Sequence, residues 1–70
     1  MKRQTVDSSV IRSAGYDPAH NVLELEFVSG NIYQYHDVPE EEFQSLIKAD
    51  SPGAFFNDEI KDAYHTLKTG

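Results

Sequence analysis

The sequence predicts an α+β fold, in which a three-stranded antiparallel meander precedes two or three helices that pack on one of its faces (βββαα). Two observations support this prediction. Residues 10–36 largely alternate between apolar and polar side chains, which is typical of strands with one buried face. After Pro39 the apolar residues recur with a period of about 3.6, which is typical of amphipathic helices.

Length and charge limit the classes of function. The chain has 70 residues and no cysteine, which predicts one domain over residues 1–70, stabilised without disulfides. Its 12 acidic and 6 basic residues give a formal charge of −6, which disfavours nucleic-acid binding because that affinity depends on basic side chains. No signal peptide or membrane-spanning segment is evident, so we expect a cytoplasmic protein that does not associate with membranes.

The N-terminal part is predicted to contain one strand. Residues 1–8 are polar, and we interpret them as a loosely held lead-in. Val10–Tyr16 is the first strand, although Gly15 weakens it. The sequence Asp17-Pro18 favours a turn, and Asn21 tolerates a left-handed backbone at the end of that turn.

The length of this turn sets the register of the first strand. A five-residue loop over 17–21 pairs Tyr16 with Val22 and Ile11 with Phe27, and it places Arg12 opposite Glu26 as a favourable charge pair. A four-residue loop would set Arg12 against a core leucine, which is costly. We therefore expect the five-residue loop.

The hairpin that follows carries a Tyr-x-Tyr pair. The strand Val22–Val28 alternates apolar residues with Glu24 and Glu26. A three-residue Val28–Gly30 loop, with Gly30 in a left-handed conformation, places Tyr33 and Tyr35 on the apolar face, opposite leucines. A two-residue loop would place both tyrosines beside the glutamates instead. The first choice separates the faces better, so we expect both tyrosines to lie under the helices.

The first helix is predicted to begin near Pro39. Glu40–Glu42 would then lie in its first turn, where the helix dipole favours negative charge. Phe43, Leu46 and Ile47 form the stripe that packs on the sheet.

A second helical segment is predicted after the first. Ser51 suits the N-cap and Pro52 the first helical position. A short turn over 52–56 would lead into a main helix over 58–67. Its apolar residues at helical spacing are Phe56, Ile60, Ala63, Tyr64 and Leu67.

Several motifs occur in the order of a known family. They are Ser8-Ser9-x-Ile11, Gly15-Tyr16-Asp17, Phe27-x-x-Gly30-x-x-Tyr33-x-Tyr35, Val38-Pro39 and Ala49-x-Ser51-x-Gly53-x-x-Phe56-Asn57-x-x-Ile60-x-x-x-Tyr64. Together they resemble the KTSC domain, named for the C-terminus of some lysyl-tRNA synthetases and also found as a stand-alone bacterial protein. The resemblance covers about residues 6–65. It implies no established function and no catalytic residues, but it carries a suggested link to RNA.

No catalytic or metal-binding constellation is evident. The histidines His20, His36 and His65 fall on a predicted turn, strand and helix, without the spacing of metal ligands. Ser8 and Ser9 are expected to bond local backbone rather than act as nucleophiles. We therefore expect no cofactor, no metal and no enzymatic activity; a small hydrolase would need a cleft that holds a serine and a histidine together.

The leading functional hypothesis is an interaction module that contacts a macromolecule, protein rather than RNA, through the open sheet face or a sheet edge. A homodimer through the sheet is one form of this. The candidate surface is Tyr16, Val22, His36, Arg12 and Ile32. In the expected registers the uncovered face comprises Val10, Arg12, Ala14, Tyr16, Val22, Glu24, Glu26, Val28, Ile32, Gln34 and His36.

An RNA-binding accessory domain is the alternative hypothesis. Aromatic side chains on a strand can stack on bases when basic residues flank them. The residues for that role are Tyr33, Tyr35, Lys2, Arg3 and Arg12.

Overall fold

The protein is described by a computed structural model over residues 1–70. It is an α+β fold with one antiparallel sheet, as expected, but the sheet has five strands and not three. The strands lie in chain order, β1 to β5, and the helices are inserted between β4 and β5. Their bounds are β1 Arg3–Thr5, β2 Ile11–Asp17, β3 Val22–Phe27, β4 Ile32–His36, α1 Glu40–Lys48, α2 Pro52–Phe55 and β5 His65–Lys68.

Both edge strands differ from the prediction. Residues 3–5 pair with β2 and are not a loose lead-in. Gly15 allows the backbone of residues 2 and 3 to approach β2 closely, because a Cβ on Gly15 would lie 2.7 Å from the carbonyl oxygen of Lys2. The predicted helix over 58–67 is also wrong. A π-helical turn, Phe56–Ile60, follows α2 directly, and residues 65–68 pair with β4.

The hairpin of β3 and β4 has the predicted register. Leu25 pairs with Tyr33 and Leu23 with Tyr35. Gly30 has a φ of 98°, which glycine adopts without strain. The three-residue loop is thus confirmed.

The register of β2 is only partly as predicted. Ile11 does pair with Phe27, but a bulge between Ile11 and Ser13 shifts the rest of the strand, so that Tyr16 pairs with Leu23 and not with Val22. Such a bulge opposes two residues to one and turns the following side chains to the other face. The predicted Arg12–Glu26 pair is therefore wrong. Ser13 lies opposite Glu26 and donates a hydrogen bond to its carboxylate at 2.9 Å.

The helices begin as their sequences indicate. The first turn of α1 carries three glutamates, and Leu46 on its apolar stripe is fully buried. The Ser51 side chain accepts a hydrogen bond from the Ala54 amide, and Pro52 follows it at the first position of α2. The N-cap prediction is confirmed.

All helical segments lie on one face of the sheet, and the core lies between them and the strands. We call this face the inner face and the opposite one the outer face. No helix of the protein has the length and apolar composition needed to cross a membrane. The core cluster consists of Val6, Ile11, Ala14, Leu23, Leu25, Tyr35, Val38, Leu46, Phe56 and Ile60.

Candidate functional site: an aromatic groove on the inner face

Four aromatic rings meet where the β3–β4 hairpin reaches the end of α2. Phe27 packs edge-on against Tyr33 and Phe56, with ring centres 5.7 and 5.2 Å apart. Phe56 also packs edge-on against Tyr35, at 5.6 Å. Two rings packed edge-to-face attract each other through their quadrupoles, which adds to the stabilisation from the apolar area that they bury. We call these four rings the aromatic cluster.

The aromatic cluster is the floor of an open groove of about 550 Å³, a volume typical of ligand sites. Val10 and Val28 form its walls and are joined by a backbone hydrogen bond of 2.9 Å. They are 42% and 47% exposed and are two of the four exposed large hydrophobic residues of the chain. Its polar lining residues are Ser9, Ser29, Asn31, Lys61, Asp62 and Thr66.

The two tyrosines of the groove differ in exposure. Tyr35 is 3% exposed, and Tyr33 is half-buried at the groove surface. Burial, with a smaller effect from Tyr33, raises the pKa of Tyr35 to about 12. Tyr35 is therefore a neutral phenol at physiological pH, and the groove offers ring edges and hydroxyl groups rather than a charged base.

Two further phenols fasten α1 to the rest of the domain. Tyr16 stacks on Phe43, and its hydroxyl donates to the carbonyl of Val38; burial is the main cause that raises its pKa. The hydroxyl of Tyr64 donates to the Glu42 carboxylate at 2.8 Å. Burial, followed by the contact with Glu42, raises the pKa of Tyr64 to about 12. Both contacts are structural links within the domain.

The predicted interaction surface is not assembled as one patch. Tyr16 lies on the inner face because of the bulge, and Val22 is buried at 8% exposure. Arg12 is exposed at the bulge, where its guanidinium lies 3.4 Å from the carbonyl of Val28. Val22, Ile32 and His36 occupy the outer face as expected, but Val22 is buried and the other two are half-buried.

The middle of the outer face is polar. The Glu24 carboxylate accepts a hydrogen bond from Arg3 at 2.8 Å and another from Gln34 at 3.0 Å. This network joins the outer side chains of β1, β3 and β4. It makes the middle of that face a part-buried polar network with a charge pair rather than a continuous apolar patch.

The residues of the RNA hypothesis are also separated. Tyr33 and Tyr35 lie on the inner face, whereas Arg3 is paired with Glu24 on the outer face. Lys2 precedes β1 and Arg12 lies at the bulge. None of these three basic residues lines the groove that contains the two tyrosines.

Serine and histidine do not meet in the groove. Ser9 and Ser29 line it, but no histidine does. Ser8 caps the start of β2, since its hydroxyl accepts hydrogen bonds from the amides of Val10 and Ile11 at 3.1 and 3.2 Å. The local role predicted for Ser8 is confirmed.

The sequence reasoning missed the walls of the groove. Val10 and Val28 were placed on the open sheet face, yet both lie beside the inner-face aromatic rings. The available signal was the three-residue turn, which puts Val28 in a loop rather than in a strand. A bulge near Arg12 had no comparable signal.

The chain is similar to proteins in several bacteria. It is 48% identical over 65 residues to an uncharacterised protein of Stutzerimonas stutzeri, with 93% of this chain and 92% of that protein covered. It also superposes on a crystal structure of a KTSC domain protein from Yersinia pestis, with a TM-score of 0.95, 43% identity and coverage of 99% and 97% of the two chains.

A segment of a larger enzyme is also similar. A lysine–tRNA ligase of a Nostoc species is 38% identical over 58 residues, which are 83% of this chain but only 10% of the ligase. The family model for the KTSC domain matches residues 7–64. The rings of the aromatic cluster are among the residues on which the sequence resemblance rests. The chain belongs to the KTSC domain family.

Proposed function

We propose that this domain is a non-enzymatic interaction module that binds a polypeptide partner, and that the groove receives an apolar side chain of that partner. The observation that carries the proposal is an aromatic floor left open between two exposed valines. Apolar surface that stays exposed beside a concave site is typical of a binding surface. An inserted side chain would cover the rings and both valines.

Charge favours a polypeptide over RNA as the partner. The formal charge is −6, and Lys61, the one basic residue of the groove, adjoins Asp62. The net negative charge of the domain disfavours a phosphate backbone, because nucleic-acid affinity requires many basic contacts. A polypeptide segment with an apolar side chain and basic neighbours is complementary in both respects.

RNA is the second candidate, and one comparison favours it. The related segments of two Nostoc proteins belong to lysine–tRNA ligases. A base would have to stack on Tyr33, because Tyr35 is buried. RNA binding would therefore depend on stacking at Tyr33 and would weaken with salt, whereas peptide binding would depend on the apolar groove.

A matched pair of variants tests the first proposal. Val28→Asp places a charge in the groove wall, and Leu67→Asp places one on the outer face, where the side chain is 51% exposed. Both positions are exposed, so both variants are expected to fold. Peptides would be selected from a random display library on the wild-type protein, and their affinities measured for all three proteins by calorimetry.

We expect the selected peptides to carry an apolar residue and to bind Val28→Asp at least roughly tenfold more weakly, a loss of about 1.4 kcal/mol. Leu67→Asp should bind as wild type does. Equal binding by Val28→Asp, or loss of binding only in Leu67→Asp, would contradict the groove and favour the outer face.

The same proteins distinguish the other partners. Titration with single-stranded oligoribonucleotides at two salt concentrations would reveal RNA binding, which should weaken with salt and with Tyr33→Ala. Light scattering over a concentration series would reveal a homodimer through the sheet. If RNA binds or the sheet dimerises and the peptides do not bind, the proposed groove interaction is wrong.

A further inference from the structure

We propose that His36 and His65 form a binding site for a divalent transition-metal ion such as zinc. The two residues are direct cross-strand partners in β4 and β5. Partners in an antiparallel pair project from the same face, with Cβ atoms about 5 Å apart. The predicted helix over 58–67 had separated them, and the strand β5 brings them together.

The distance between the rings suits a shared metal ion. Their centres lie 5.8 Å apart, and the ring planes are tilted by 54°. Two imidazoles that bind one zinc ion through bonds of 2.0–2.1 Å at a tetrahedral angle have centres about 5 Å apart. Side-chain rotation can supply the remaining difference, since His65 is exposed on an edge strand.

The ring nitrogens of both residues are available. Among the three histidines, it is His20 that is bound within the chain, to the Asp17 carboxylate at 2.8 Å. Neutral imidazole is the commonest metal ligand in proteins. The negative net charge of the domain also favours a cation.

The site provides two protein ligands. The protein has no group of three metal-ligating side chains, so water would complete the coordination sphere of the ion. Two-ligand binding is weaker than that of a structural zinc site, which has four protein ligands. Imidazole nitrogen is a ligand that suits zinc, nickel and copper, whereas magnesium and calcium prefer oxygen ligands.

Titration of the full chain with Zn²⁺ alone tests this inference. The ¹⁵N resonances of the histidine rings would be followed by NMR at pH 7.5 in wild type, His36→Gln, His65→Gln and the control His20→Gln. We expect the ring signals of His36 and His65 to shift together as the site fills, with the signals of His20 unchanged. Each of the two site variants should lose at least roughly tenfold in affinity, since one of the two ligand bonds is gone, and His20→Gln should bind as wild type.

Three results would overturn the inference: no shift in either ring up to millimolar Zn²⁺, shifts at His20 in place of the pair, or unchanged affinity in His36→Gln and His65→Gln. The wild-type titration gives the first two without any variant, so the inference remains testable even if one variant folds poorly. Mg²⁺ is the control ion and should leave all three rings unshifted.

Discussion

Replacing Phe56 by leucine tests how much the aromatic cluster stabilises the domain. Phe56 is 9% exposed and forms two of the cluster's three edge-to-face pairs. Each pair contributes about 0.5–1.5 kcal/mol beyond its buried area, so Phe56→Leu should lower the free energy of unfolding by about 1–3 kcal/mol. The free energy of unfolding of a domain of this length is roughly 4–10 kcal/mol, so the expected loss is a large share of it.

Equilibrium unfolding in urea, followed by circular dichroism, measures this loss. With an m-value of about 1 kcal/mol/M the midpoint should fall by about 1–3 M. Phe55→Leu is the matched control, because Phe55 is adjacent and half-buried but lies outside the aromatic cluster. We expect less than half the loss in the control. An equal loss in both variants would refute the argument that ring pairing makes Phe56 special.

Three other perturbations test separate parts of the fold. Gly15→Ala should displace β1, because the new Cβ would lie 2.7 Å from the Lys2 carbonyl oxygen; hydrogen exchange at the β1–β2 pairing should accelerate and stability should fall by about 1–3 kcal/mol. Gly30→Ala should cost about 1–2 kcal/mol in a thermal melt, because a φ of 98° strains any residue with a Cβ even where nothing else is near. Alkaline titration should destabilise the domain between pH 10 and about 12. In the folded state the pKa values of Tyr35 and Tyr64 are raised from 10.0 to about 12. Because the unfolded chain loses these protons at lower pH than the folded chain does, rising pH favours unfolding over this range. The contribution of these two tyrosines to stability is fully present below pH 10. Tyr35→Phe should make the alkaline loss smaller, and an unchanged loss would contradict this explanation.

The hairpin could be predicted from sequence because its turn and its alternation agree. Only the three-residue loop puts Tyr33 and Tyr35 with the leucines, and this is the register that forms. The N-cap at Ser51 has a comparably local cause, and it too is found. Local chemistry was sufficient in both cases.

The two edge strands had no such local cause. Arg3–Thr5 is short and polar, and its pairing depends on the close approach that Gly15 permits. His65–Lys68 is exposed throughout, so its residues show no buried period, and Leu67 fits the helical spacing of the preceding apolar residues by coincidence. Tertiary pairing decides the conformation of both segments.

The bulge at Arg12 had the largest effect on the candidate site. One extra residue moved Tyr16 to the inner face, and the expected outer surface was lost with it. The groove could not be predicted from the sequence, because its walls and its aromatic floor come from separate parts of the chain. Similarly, the approach of His36 and His65 depends on a strand that the sequence did not predict.

The most direct test of the groove is the amide chemical-shift footprint of a selected apolar peptide on the ¹⁵N-labelled wild-type protein. The proposal predicts the largest shifts at Val10, Val28 and Tyr33, with those of Ile32 and Leu67 unchanged. A footprint centred on Ile32 and Leu67 would place binding on the outer face and contradict the proposed site.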